Sequence, residues 1–63
     1  MRNDTLYELH LETLDSICKK HKQHDWFNCL YYLIQSGNTT DSLTMVESLA
    51  FIHAYEHGYT NEP

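Results

Sequence analysis

The chain has 63 residues, two cysteines, two glycines, one proline and a formal net charge of −5 with the histidines neutral. That length admits one small domain with a thin apolar core, the kind of chain that leans on a disulfide, a metal or a second copy for stability. All four basic residues, Arg2, Lys19, Lys20 and Lys22, lie in the first 22 positions, so the remainder carries the net negative charge and repels nucleic-acid phosphates.

With so few glycines and prolines and no repeat, the sequence reads as an all-α chain of three short helices in a single domain over residues 1–63. Asn3 or Asp4 caps a first helix predicted over about residues 4–22, with acids early and lysines late, as the macrodipole favours. On it Leu6, Tyr7, Leu11, Leu14, Ile17 and Cys18 fall within an arc of about 140°, opposite Glu8, Glu12, Asp15 and Lys19.

A second helix is predicted over about residues 25–36 and contains the run WFNCLYYLI, Trp26 to Ile34, which is apolar nearly all the way round. Trp26, Phe27, Cys29, Leu30, Leu33 and Ile34 share an arc of roughly 160°, flanked by Tyr31 and Tyr32. This stripe is rotated by about 150° from the phase that the first helix would carry forward. The mismatch favours a break near His24 and Asp25 with Asp25 as N-cap. The segment KKHKQH holds no breaker, so one continuous helix ending at Ser36 and Gly37 is the alternative.

Gly37 to Asp41 reads as a loop, with Gly37 a natural residue to end a helix. Thr44, Met45, Val46 and Glu47 match the capping box and start a third helix predicted over about residues 44–57, with Asp41 as a competing cap one turn earlier. Met45, Leu49 and Ile52 form its stripe, with Val46 on one flank and Phe51 and Tyr55 on the other. Gly58 stops it, and residues 58–63 read as a loose tail.

Several constellations could carry chemistry. Cys18, His21, His24 and Cys29 have zinc-ligand chemistry, and His53 and His57 stand at i, i+4 on one helix face. The C-x2-H-x2-H-x4-C spacing is not a standard zinc pattern, and both cysteines fall on apolar stripes, where small buried thiols are the commoner role. No metal or cofactor is expected. Pairing Cys18 with His21 or His24 as nucleophile and base lacks a third orienting group and a cleft, so no enzyme activity and no catalytic residue are expected.

The basic run KKHK at residues 19–22 fits cations gathered at a helix C-terminus, and the third helix turns Glu47, Ala50, Ala54 and His57 outward, so direct contact with nucleic acid is not expected. Glu47, Glu56 and the acidic loop at Asp41 suit a basic patch on a protein partner. No basic n-region followed by an apolar h-region is visible, and the apolar run is far short of the ~20 residues that span a bilayer. The expectation is a cytosolic protein with free thiols and no membrane contact.

A helix apolar all round needs more cover than a single neighbour supplies, and a chain this short has few other elements to offer. The expected partner is a second copy in a symmetric homodimer, with Trp26, Phe27, Leu30, Tyr31, Leu33 and Ile34 as the interface. A nucleic-acid-binding transcriptional regulator and a small metal-dependent switch are the rival readings.

From MRNDTLYELHLETLDSICKKHKQ through WFNCLYYLIQSG to the third helix, the chain resembles the small accessory proteins of lambdoid phages encoded in the early leftward region between the exonuclease and excisionase genes. The resemblance implies a protein made early in infection and resident in the cytoplasm of the bacterial host. It further implies a role in altering the host cell cycle or promoting lytic development, which the interaction reading of the residues assigns to contact with a host or phage regulator. It carries no site residues over to this chain.

Overall fold

A computed structural model of the protein describes residues 4–58, all of whose regular elements are helices: α1 (Asp4–Lys20), α2 (Trp26–Ser36) and α3 (Thr39–Glu56). A cap at Asn3 and the tail expected beyond Gly58 lie outside the described residues.

The first helix does not run on into the second. Lys22 adopts the left-handed conformation (φ 58°), and two backbone bonds close the helix end, from Lys22 N–H to the Lys19 carbonyl (3.1 Å) and from Gln23 N–H to the Cys18 carbonyl (2.8 Å). This is the Schellman ending, built on a lysine where glycine is usual. Asp25 is then extended (φ −126°, ψ 137°), and its carboxylate accepts the Asn28 N–H at 3.0 Å, which opens α2. At the far end Gly37 (φ 79°) repeats the ending, with Gly37 N–H to Ile34 and Asn38 N–H to Leu33.

The third helix starts five residues before the expected Thr44. Its cap is Asn38, whose side-chain oxygen accepts the Asp41 N–H at 3.1 Å. Thr44 sits inside the helix and donates its hydroxyl back to the Thr40 carbonyl at 3.0 Å, so the capping-box match at residues 44–47 is coincidental. Asp41 is the third residue of the helix, not its cap.

Contacts between α1 and α3 run in opposite directions along the chain: Tyr7 meets Tyr55, His10 meets Ser48, and Lys20 meets Asp41. The two helices are therefore an antiparallel pair. α2 packs on both where α1 ends and α3 begins. At ~1.5 Å per residue its 11 residues reach about 16 Å, against about 27 Å for the 18 residues of α3. The buried core is accordingly local, comprising Leu14, Ile17 and Cys18 from α1, Cys29 and Leu33 from α2, and Met45 and Ile52 from α3. Tyr7, Leu11, Trp26, Leu30 and Leu49 pack around it.

Two members of the core face of α3 are serines. Ser42 and Ser48 are buried, Ser42 donating to the Thr39 carbonyl (3.0 Å) and Ser48 bonded to His10 Nδ1 (2.9 Å). Leu6 and Val46, expected in the apolar stripes, are exposed. Away from α2, the α1/α3 pair is closed by polar aromatics. Tyr7 and Tyr55 stack at 4.3 Å, Tyr7 donates to Glu56 at 2.8 Å, and the Tyr55 hydroxyl donates to Asp4. The Glu56 bond holds the Tyr7 phenol above its ordinary value.

Candidate functional site

α2 contains no charged side chain, being WFNCLYYLIQS throughout. Its core-facing side is fixed by Cys29 and Leu33, both fully buried, and by Trp26 and Leu30 packed on the core. The indole N–H of Trp26 donates to Asp15 at 3.1 Å and ties the first turn of α2 to α1. Of the six residues expected at an interface, Leu33 is thus an interior residue of the monomer, and Trp26 and Leu30 are partly covered by the chain itself. The reason is that a helix apolar all round gives no phase: the sequence cannot say which of its faces the small domain takes for its own core.

The remaining three form a row. Phe27, Tyr31 and Ile34, at spacings of i, i+4 and i+7, lie within an arc of about 60° and are 69%, 66% and 58% exposed. Tyr32, on the other flank, is 43% exposed and has its ring 5.8 Å from that of His21. α2 therefore lies against both neighbours and still presents a bare aromatic and aliphatic strip to water.

Two of the three acidic groups expected to face a partner, Asp41 and Glu56, are engaged within the chain. Asp41 accepts from His21 Nε2 (2.9 Å), Lys20 Nζ (3.1 Å) and Asn38 Nδ2 (3.4 Å), and its side chain is only 15% exposed. The bonds from His21 and Lys20 hold its carboxyl below the ordinary value. Asp41, expected in an acidic loop, is thus a joint between α1 and the first turn of α3, not an outward acidic patch. Glu56 accepts from Tyr7, while Glu47 is exposed.

Among the described residues, no group of three or more His, Cys, Asp or Glu side chains is arranged to hold a metal ion. Cys18 and Cys29 are buried and unbridged, His21 is turned to Asp41, and His24 stands exposed in the connection to α2. His53 and His57 place their rings 4.2 Å apart on the exposed last turns of α3. A shallow, open depression between α1 and α3, lined by Leu9, Glu12, Thr13 and Thr44 among others, lacks the enclosure of a substrate pocket. Among the described residues, no helix is long and apolar enough to cross a membrane.

The chain matches no known family model, no curated protein and no solved structure.

Proposed function

We propose that this chain is a protein-interaction module that pairs with a second copy through α2 and acts by contact on a host or phage regulator. The observation that carries the reading is the exposed row of Phe27, Tyr31 and Ile34 on a helix without charges. With aromatic side chains contributing ~150–250 Å² each, the row leaves roughly 300–400 Å² of apolar surface in water, as much as the largest patch on a typical monomer. Two copies meeting there across a two-fold axis would bury about twice that area. Leu30, Asn28 and Gln35 at the margin would bring the contact toward the ~1,200 Å² at the low end of specific interfaces.

Charge supports a second copy over a polyanion. Each protomer brings a net charge of −5, but none of it lies on α2, so two α2 faces can approach without opposing like charges directly. The resemblance to early lambdoid accessory proteins supports the cytoplasm of the bacterial host as its place, and lytic promotion or host cell-cycle modulation as its outcome. Sedimentation equilibrium tests the pairing. The expected result is a dimer that Phe27→Asp or Tyr31→Asp splits into folded monomers. A stable 7.5 kDa monomer of the unmodified chain at tens of micromolar, about where even weak dimers populate, would refute it.

A further inference from the structure

Cys18 and Cys29 are the pair of groups that the interaction reading leaves unused. They come from different helices, are 5% and 0% exposed, and belong to one core cluster. The connection between their helices is short and closed at both ends, by the left-handed Lys22 and by the Asp25 cap, and the bond from Trp26 to Asp15 fixes α2 on α1 beside them. Burial raises the Cys18 thiol above its ordinary value, and the neighbouring Cys29 thiol raises it further.

We propose that Cys18 and Cys29 form a redox modification site, joined by an intramolecular disulfide that staples α1 to α2 when a small-molecule disulfide is the oxidant. In the first step a cysteine thiolate of the chain attacks one sulfur of the oxidant, giving a mixed disulfide and releasing one equivalent of the small thiol. In the second the other cysteine attacks the protein-side sulfur and releases the second equivalent. The two cysteines are oxidised by two electrons, the small disulfide is reduced to two thiols, and the two cysteine protons end on those thiols.

Burial sets how this happens. It pushes the Cys18 thiol up to about 11, aided by the neighbouring Cys29 thiol, so the closed protein holds little thiolate there and attack begins when α2 lifts. Reclosure then brings the two sulfurs together. The fold therefore slows the reaction and favours its product. The staple leaves Phe27, Tyr31 and Ile34 on the opposite side of α2 untouched, so it does not depend on the pairing proposed above.

Equilibration of the full chain in a buffer of reduced and oxidised glutathione, followed by acid quench and intact-mass measurement, gives the effective concentration of one thiol towards the other. The folded chain should show a value about ten- to a hundredfold above that of the same chain in urea, because a bond that stabilises the fold is stabilised by it to the same degree. The oxidised protein should melt at least about 5 °C higher than the reduced one. Cys18→Ala should stop at the mixed glutathione adduct. An effective concentration in the folded chain equal to or below that in urea, or a midpoint unchanged or lowered by oxidation, would overturn the proposal. So would a wild-type product consisting of mixed adducts or chains bridged to one another. Sedimentation of the oxidised form reads separately on the dimer.

Discussion

The His21 imidazole and the Asp41 carboxylate meet at 2.9 Å, twenty positions apart in the chain, and join the end of α1 to the first turn of α3. Lys20 adds a second bond at 3.1 Å to the same carboxylate oxygen. One acidic side chain thereby sets the register of the antiparallel pair while favouring its own helix N-terminus.

A pH dependence follows. Because the folded-state value of Asp41 lies below its ordinary 3.8, the folded chain holds this proton less tightly than the unfolded chain does. Its contribution is fully present above the ordinary carboxylate value and is lost as pH falls through that value toward the depressed one. Urea unfolding compared at about pH 6 and about pH 3 should show a fall in stability, and Asp41→Asn should reduce that fall.

Lys22 is a second point of leverage. A side chain in the left-handed region costs roughly 1 kcal/mol relative to glycine, part of which the greater freedom of glycine in the unfolded chain returns. Lys22→Gly should raise stability by a few tenths to about 1 kcal/mol in urea titrations, with no change in helix content by circular dichroism.

The interior and exterior faces of α2 should respond differently. Leu33 is fully buried, and Leu33→Ala should cost about 2–5 kcal/mol, enough to unfold much of so small a domain. Phe27 is 69% exposed, and Phe27→Asp should leave the melting of the monomer within about 0.5 kcal/mol of the parent while weakening self-association. Thermal melts read alongside sedimentation separate the two outcomes.

Direct binding to duplex DNA should be weak. Lys20 is committed to Asp41, and the lysines near it are set against nine acidic residues in the chain. Fluorescence polarisation with random duplex at near-physiological salt should show no submicromolar affinity. A tight complex that weakens steeply with added salt would count against the reading.

Local chemistry made parts of this fold legible in the sequence. The phase shift between the stripes of α1 and α2 located the break, and Asp25 caps α2 as its position suggests. The start of α3 was hidden because Thr44 and Glu47 imitate a capping box more fully than Asn38 does, although Asn38 is the residue whose side chain meets the free amide. Ser42 and Ser48 escaped a reading by hydropathy because their burial depends on bonds to Thr39 and His10, the second of which is long-range. For the interface, charge-free composition pointed to α2, but the choice between Leu33 inside and Phe27, Tyr31 and Ile34 outside is made by tertiary packing.

The shortness of α2 divides the molecule into two regimes of protection. Amides near Leu14, Ile17, Cys18, Leu33 and Met45 lie in the three-helix portion, where exchange with solvent deuterium requires the whole domain to open. The opposite end, from Asp4 to Tyr7 and from His53 to Glu56, lies beyond the last core residue of α3, Ile52, and is closed by a tyrosine stack and carboxylate bonds. Its amides should exchange through fraying that leaves the rest intact, ahead of those in the three-helix portion.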